Sequence, residues 1–230
     1  MANIAIIPAR GGSKRIPRKN IKDFLGKPII AYSIETAINS GLFDEVMVST
    51  DDKEIAEIAL KYGAKVPFLR SELNSDDKSN TVDVIIEVLN SYNKLQFKFD
   101  YVCCIYPTAP FVNIKVISDA LNLLKSKNFS SVFPVAAFSY PIFRALKINK
   151  ENKVSMIWPE NLTKRSQELP LSFHDAGQFY WMSVDSIVTG KKLFTENSGV
   201  IVLNELMVQD IDNQSDWELA ELKYQLIQMK

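Results

Sequence analysis

The first half of the chain alternates short apolar runs with amphipathic segments. The apolar runs predict strands at residues 4–8, 45–49, 101–106 and 130–135. Between them, apolar residues recur at helical spacing over residues 28–40, 52–62, 81–92 and 115–125. Strands without polar alternation, separated by helices, are typical of a parallel sheet covered on both faces. The pattern therefore predicts an α/β fold with a parallel-rich sheet.

After Pro134 the pattern becomes less regular. Residues 138–172 contain several prolines and two short strand-like pieces, at 145–148 and 154–157, which predict an excursion from the sheet within a single domain of residues 1–230. The chain then returns with strand-like segments at 178–184 and 198–207. A last amphipathic helix is predicted over 215–228, with Ser215 as its N-cap and Glu218 completing a capping box.

Composition narrows the function classes. The chain has 230 residues, 47% of them hydrophobic, so it is long enough to bury a substantial core. Lys+Arg and Asp+Glu both total 27, which gives no overall charge for binding a nucleic acid. We expect no membrane span and no signal peptide, because no apolar stretch is long enough. Cys103 and Cys104 lie together in an apolar run, which favours buried strand thiols over a disulfide framework and the cytoplasm as the compartment.

A cluster of positive charge directly follows the first predicted strand. Glycines at positions 11 and 12 let the backbone approach a ligand closely, and consecutive amides in such a loop point at an anion. The basic side chains in this loop are Arg10, Lys14, Arg15, Arg18, Lys19 and Lys22. The spacing matches neither a Rossmann fingerprint nor a Walker loop. Position and charge predict a polyphosphate-binding loop; the alternative is a solvated basic turn.

An acidic pair, Asp210 and Asp212, lies near the other end of the chain. Alternation in an extended segment places both carboxylates on one side. Two neighbouring carboxylates need a neutralising partner, and Mg²⁺ is a common one beside a nucleoside triphosphate. The alternative is an ordinary pair that caps the following helix. Together with the basic loop, the pair predicts a metal-assisted triphosphate site.

Two further polar segments are candidates for substrate contact. Tyr106 and Thr108 follow a predicted strand, at the end where open α/β sheets bind ligands. His174, the single histidine, lies with Asp175 and Gln178 in a polar cluster that leads into another strand. A packing role for His174 is an open alternative.

Several segments resemble the CMP-nonulosonate synthetases, the cytidylyltransferases that include CMP-sialic acid synthetase. The matching segments are IIPARGGSKRIPRKNIKDFLGKPIIAYSIETA, VSTDDKEIAEIALKYGAKVPFLRSELNSD, YPTAP and DIDNQSDWELAE, which cover essentially the whole chain. Within this group, FHDAGQFYW and QDIDNQSDWELAE are most similar to pseudaminic acid cytidylyltransferases.

The resemblance implies a Rossmann-like nucleotidyltransferase fold and a homodimer formed partly through the excursion. It implies transfer of CMP from CTP to a nonulosonic acid, with release of pyrophosphate and Mg²⁺ as cofactor. The implied nucleotide-binding residues are Ala9, Arg10, Gly11, Gly12, Ser13, Lys14, Arg15, Lys19, Asn20, Arg70 and Asn80. The implied sugar-side residues are Tyr106, Thr108, Arg165, His174, Asp175 and Gln178. Asp210 and Asp212 match the metal-binding aspartates, and Arg10, Lys14, Asp210 and Asp212 are the implied catalytic set.

Two departures from the sialate enzymes bear on the acceptor. Those enzymes usually have QPTSP where this chain has YPTAP, so Tyr106 replaces a glutamine that reaches the sugar. The sequence HDAGQ also differs from theirs. Both changes favour pseudaminic acid over N-acetylneuraminic acid. Alternatives are sialate, legionaminate or the eight-carbon acid of lipopolysaccharide cores as acceptor, or a nucleotide-binding regulator without turnover. A nucleic-acid-binding module is disfavoured, because no aromatic residues interleave with the basic loop.

Overall fold

The structure, a computed structural model, describes residues 1–75 and 79–229. Its strands are β1 (Asn3–Pro8), β2 (Asp23–Phe24), β3 (Lys27–Pro28), β4 (Glu45–Ser49), β5 (Tyr101–Ile105), β6 (Ser131–Ala137), β7 (Leu146–Ile148), β8 (Val154–Met156), β9 (Phe173–Asp175), β10 (Phe179–Ser183) and β11 (Ser198–Leu203). Its α-helices are α1 (Ile29–Asn39), α2 (Lys53–Lys61), α3 (Thr81–Lys94), α4 (Ile114–Lys127), α5 (Val184–Gly190) and α6 (Gln214–Gln228). Every strand and helix predicted in the first half is present, with ends shifted by one or two residues.

The main sheet has the strand order β11-β6-β10-β5-β1-β4, with β9 paired to β6. Strands β4, β1, β5, β6 and β11 run in one direction, which confirms the parallel-rich sheet. Strands β9 and β10 run in the opposite direction, which the sequence pattern did not predict. The reason is that Phe173 pairs with Ala137, the last residue of β6, so the excursion returns the chain at the same edge without a crossover helix.

Helices cover both faces of the sheet, as predicted. Ala5 and Ile7 of β1 belong to a buried cluster with side chains of α1, α2 and α4. Ile4 and Ile6 point to the other face and pack with side chains of α3 and with Ile187 of α5. This alternation places the carboxyl end of β1 between two helical layers. Among the described residues, no helix has the length and apolar character needed to cross a bilayer.

The two cysteines confirm the prediction of buried strand residues. Cys103 and Cys104 are free thiols, fully buried in β5, and their side chains belong to the two different core clusters. Burial raises the pKa of both thiols. Phe179, Tyr180 and Trp181 are also buried, as core residues of β10.

The start of the last helix was predicted wrongly. Helix α6 begins at Gln214, and its N-cap is Asn213, whose side chain accepts from the Asp216 amide while Asp216 accepts from the Asn213 amide. The predicted cap at Ser215 lies two residues too late. Asn213 and Asp216 provide the same box spacing, and Asp216 also accepts from the amide of Asp212, which ties the helix to the preceding turn.

Other parts of the second half differ in detail from the prediction. Strand β11 ends at Leu203 and is followed by a 3-10 turn over Glu205–Met207, where a continuous strand was expected. Helix α5 was missed, and so was the β2–β3 hairpin in the first half of the chain, since both are short. The excursion contains the two-stranded β7–β8 sheet, separate from the main sheet as predicted. The single-domain assignment stays a prediction.

Candidate active site

A cavity of about 480 Å³ opens at the carboxyl ends of β1 and β5. It combines the basic loop, the start of α3, the turn after β5 and one member of the acidic pair. The lining residues are Pro8, Arg10, Ser13, Lys14, Arg15, Ile16, Lys19, Asn20, Arg70, Ser79, Asn80, Thr81, Val84, Tyr106, Pro107, Thr108 and Asp212. This is the edge of the sheet where the parallel strands predict a ligand.

The basic loop is held by its own side chains and by the core. The amide of Ala9 donates to the carbonyl of Ser49 (2.9 Å), which continues the pairing of β1 and β4. Asn20 is buried, and its Nδ2 donates to the carbonyl of Arg10 (2.8 Å), which closes the loop across its base. Ile16 is buried in the cluster beneath α6. The cationic side chains therefore extend from a backbone that hydrogen bonds and core packing hold in place.

Gly11 faces a neighbouring turn of the chain. Its amide donates to Oδ1 of Asp51 (3.1 Å). A Cβ at Gly11 would lie 2.6 Å from Oδ2 of Asp52, whereas a Cβ at Gly12 would meet nothing within 4 Å. Neither glycine is among the residues lining the cavity. Gly11 is thus required by the packing of the loop, a reason that the sequence pattern did not reveal.

The acidic pair meets the basic loop directly. Nη2 of Arg15 donates to Oδ1 of Asp212 (2.7 Å), and Nζ of Lys19 donates to the carbonyl of Ile211 (2.6 Å). Ile211 is fully buried, so the two aspartates that flank it point away from the core. The alternative role as a helix cap is not observed, because Asn213 caps α6.

The charges around Asp210 and Asp212 favour the binding of a cation. Burial raises the pKa of Asp210, the nearby charge of Asp212 raises it further, and Lys19 opposes this. Burial lowers the pKa of Lys19, while the charges of Asp212 and Asp210 act in the opposite direction. In the described part of the chain, no group of three or more histidine, cysteine or acidic side chains is arranged to hold a metal ion. The pair can supply two oxygen ligands, which suits Mg²⁺ bound mainly through phosphates and water.

Arg70 is fixed at one wall of the cavity. Its amide donates to the carbonyl of Thr50 (2.8 Å), and its Nε donates to Oγ of Ser49 (3.0 Å). Burial lowers the pKa of the guanidinium. Glu87 holds the residue that follows Arg70, since its carboxylate accepts from the amide of Ser71 (2.8 Å) and from its hydroxyl (2.9 Å).

Asn80 lines the same wall and also caps a helix. Its side-chain oxygen accepts from the amide of Asp83 (2.9 Å) at the start of α3. The Nδ2 group of Asn80 takes no part in this cap. Thr81 and Val84, on the first turn of α3, line the cavity as well but were not predicted. The sequence showed them only as the beginning of a helix.

Tyr106 connects the cavity to the predicted sugar-side cluster. Its ring lies 5.5 Å from that of Tyr180, whose hydroxyl donates to Oδ2 of Asp175 (2.6 Å). The hydroxyl of Tyr106 lies 3.4 Å from Oγ1 of Thr81. Burial raises the pKa of Tyr106. Asp175 therefore does not line the cavity, but it bonds to Tyr180, whose ring lies beside Tyr106 in the cavity wall.

Thr108, another predicted sugar-side residue, also lines the cavity, whereas Gln178, His174 and Arg165 do not. Gln178 is buried, and its side-chain Nε2 donates to the backbone carbonyl of Met207. The backbone carbonyl of Gln178 accepts from the amide of Tyr106 (2.8 Å). Its Nε2 group is thus engaged within the fold, and the predicted sugar contact stays a prediction. His174 packs its ring 5.0 Å from that of Phe138. Arg165 is exposed and directly precedes a 3-10 turn of the excursion.

The comparisons with known proteins agree with the resemblance seen in the sequence. Residues 4–223 match the family model described as cytidylyltransferase. The chain is 46% identical over 229 residues to pseudaminic acid cytidylyltransferase of Campylobacter jejuni subsp. jejuni serotype O:23/36 (strain 81-176), covering 98% of this chain and 97% of that protein. It is 34% identical to CMP-N,N'-diacetyllegionaminic acid synthase of Legionella pneumophila subsp. pneumophila, covering 99% of this chain and 98% of that protein.

Solved structures show the fold independently. CMP:2-keto-3-deoxy-manno-octonic acid synthetase in complex with CTP aligns over 100% of both chains, with a TM-score of 0.70 at 17% identity. 4-diphosphocytidyl-2C-methyl-D-erythritol synthase from Anaerococcus prevotii aligns with a TM-score of 0.65 at 15% identity. At these identities the likeness establishes the Rossmann-like nucleotidyltransferase fold alone. On the family match and the relatives' identities, the chain belongs to the cytidylyltransferase family.

Proposed function

We propose that the chain transfers CMP from CTP to pseudaminic acid, with release of pyrophosphate. One observation supports this most directly: a single cavity holds the cationic loop, Arg70 and Asp212 together. The acceptor assignment follows from the 46% identity to a pseudaminic acid cytidylyltransferase over nearly the full length of both chains. It also accords with Tyr106 in the cavity wall.

Arg10, Lys14 and Arg15 would bind the triphosphate. The anomeric hydroxyl of the sugar would attack the α-phosphate in line, with pyrophosphate as the leaving group. Such a reaction depends on positioning and on neutralising charge more than on a covalent intermediate. Arginine suits this task, because its planar guanidinium donates two parallel hydrogen bonds to phosphate oxygens.

Asp210 and Asp212 would hold Mg²⁺ beside the phosphates. When bound, the ion neutralises phosphate charge and acidifies a hydroxyl that it contacts. When CTP binds, the guanidinium of Arg15 would release Asp212 and bind a phosphate oxygen, because the carboxylate and the phosphate compete for it. We assign no side chain as general base. His174 does not line the cavity, so we assign it no part in proton transfer. Contact with a sugar bound to a neighbouring subunit suits it better.

We also propose a homodimer formed through the excursion. The β7–β8 sheet exposes Leu146, Ile148 and Val154, each more than 60% accessible. Covering them with a second copy would bury apolar surface. Two buried free thiols are compatible with the cytoplasm, where we place the enzyme.

The test is CTP-dependent pyrophosphate release with a panel of acid sugars. The panel contains pseudaminic, N,N'-diacetyllegionaminic and N-acetylneuraminic acids and the eight-carbon acid. We expect the highest kcat/KM with pseudaminic acid. A strong preference for another sugar would reject the acceptor assignment and keep the transferase. Binding of CTP without pyrophosphate release on any sugar would favour the nucleotide-binding regulator.

A further inference from the structure

The cationic loop is fastened to the turn that precedes α2 by a forked ion pair. Nη1 of Arg18 donates to Oδ2 of Asp52 (2.5 Å), and Nη2 donates to Oδ1 of the same carboxylate (3.0 Å). Nη2 also donates to Glu54 (2.5 Å). A two-point contact of this kind fixes orientation as well as distance. The Asp52 side chain is 21% exposed, so the pair is partly shielded from water.

The other end of the loop is held against the same turn. Asp51 accepts from the amide of Gly11, and the side chain of Asp52 fills the space where a Cβ of Gly11 would lie. Residues 11 and 18 are therefore both attached to residues 51 and 52. The segment between them contains Ser13, Lys14 and Arg15, which line the cavity.

The backbone at Arg18 needs this support. Arg18 has a φ of 55°, in the left-handed region that residues with a Cβ avoid. The carboxylate that holds it is ionised at any ordinary pH, because hydrogen bonds from Arg18 lower the pKa of Asp52 to about 2 against its partial burial. The unfavourable turn is thus maintained by a contact that stays charged.

We propose that Arg18 and Asp52 are positioning residues for CTP: neither lines the cavity, but their ion pair holds the loop in the shape that presents Lys14 and Arg15 to the outer phosphates. This inference rests on the proposed function, since it takes the loop to bind the triphosphate. It assigns Arg18 a role different from that of the neighbouring cations, and it gives Asp52 a task beyond capping α2.

Asp52 also accepts from the amide of Ile55 (3.0 Å) as the N-cap of α2, so its helix-capping role must be separated from its role in the loop. Asp52→Asn does this, because asparagine caps a helix about as well as aspartate but carries no charge for Arg18. Arg18→Gln removes the other partner. Arg18→Lys is the conservative variant, which keeps the charge but cannot form the fork.

The experiment measures the binding of CTP and of CMP to the full chain by calorimetry, with Mg²⁺ and without an acceptor sugar. CMP lacks the two outer phosphates and serves as the internal reference. We expect Asp52→Asn and Arg18→Gln each to weaken CTP binding about tenfold and CMP binding by less than about twofold. Arg18→Lys should fall between Arg18→Gln and the wild type.

A double-mutant cycle and a control variant complete the test. If the two residues act through one contact, the double variant binds CTP no more weakly than either single variant. Asp119→Asn, which breaks an exposed ion pair with Lys115 on α4, should bind both nucleotides like the wild type.

Unchanged CTP binding in Asp52→Asn would overturn the inference. An equal loss for CTP and CMP, or additive losses in the double variant, would overturn it as well. The proposed function fails separately, if the wild type binds CTP but releases no pyrophosphate with any acid sugar.

Discussion

The substitution Asp212→Asn separates a function in metal binding from a contribution to stability. It keeps the shape of the side chain and removes its charge. Two effects follow from the structure: the ion pair between Arg15 and Asp212 (2.7 Å) is lost, and one of the two proposed oxygen ligands for Mg²⁺ loses its charge. These effects are expected to differ greatly in size.

The stability effect should be small. The side chains of Arg15 and Asp212 are 68% and 43% exposed, and solvent screens such a pair. Exposed ion pairs contribute about 0.2–1 kcal/mol, so the free energy of unfolding should fall by less than about 1 kcal/mol. Loss of a charged ligand beside the transferring phosphate should cost more. We expect turnover at limiting Mg²⁺ to fall about 10²-fold, which corresponds to about 2.7 kcal/mol in the activation free energy.

The assay follows pyrophosphate release at saturating CTP and sugar over a series of Mg²⁺ concentrations, in parallel with urea unfolding of the same samples. Part of the lost rate should return as Mg²⁺ is raised, because a weaker site fills at higher concentration. Asp119→Asn is the matched control, because it removes the carboxylate of an exposed ion pair with Lys115. The Lys115 side chain of that pair is 83% exposed. Near-normal turnover of Asp212→Asn at limiting Mg²⁺ would refute the assignment as a metal ligand. A stability loss well above 1 kcal/mol would instead show that the ion pair has been underestimated.

Two further predictions concern the supports of the cavity. Gly11→Ala should lower the free energy of unfolding by about 1–3 kcal/mol, because its Cβ would overlap Asp52, whereas Gly12→Ala should change it by less than about 0.5 kcal/mol; equal effects in urea unfolding would contradict the close approach of Gly11 to Asp52. For Glu87, burial tends to raise the pKa, but hydrogen bonds from Asn74 and Ser71 outweigh it and hold the pKa below its usual value. The carboxylate therefore stabilises the fold above its unfolded pKa of about 4.3, and this contribution disappears as the pH falls through the lower folded pKa. The stability advantage of wild type over Glu87→Gln, measured by urea unfolding, should be present at pH 6 and shrink on acidification; an advantage independent of pH would contradict the role of the charge.

Local patterns in the sequence were enough to predict the α-helices and the main-sheet strands of the first half, and the buried cysteines. Apolar runs and helical spacing report burial directly, because each element must bury one face or both. The same logic placed Asp210 and Asp212 away from the core, on either side of the buried Ile211. The density of basic residues after β1 likewise identified the loop, and the family followed from long matching segments.

The tertiary structure decided which of these residues meet. Arg15 and Asp212 are 197 positions apart, and no local pattern relates them. The direction of β10 depends on where the excursion returns to β6, which is set by pairing between distant segments. The fold also pairs the Nε2 group of Gln178 with the carbonyl of Met207, 29 positions along the chain, a contact that the sequence did not indicate.

The roles of small and charged residues at the loop also depended on the assembled fold. The sequence predicted Gly11 as a phosphate-loop glycine, and the structure shows Asp52 as the N-cap of α2. Only their contact in space shows that the glycine makes room for the aspartate, and that Arg18 joins the same carboxylate. Sequence by itself determined the longer helices and strands of the first half and the kind of charge that each segment carries, since these follow from neighbouring residues. Which charges face one another across the cavity was decided by packing between residues far apart in the chain.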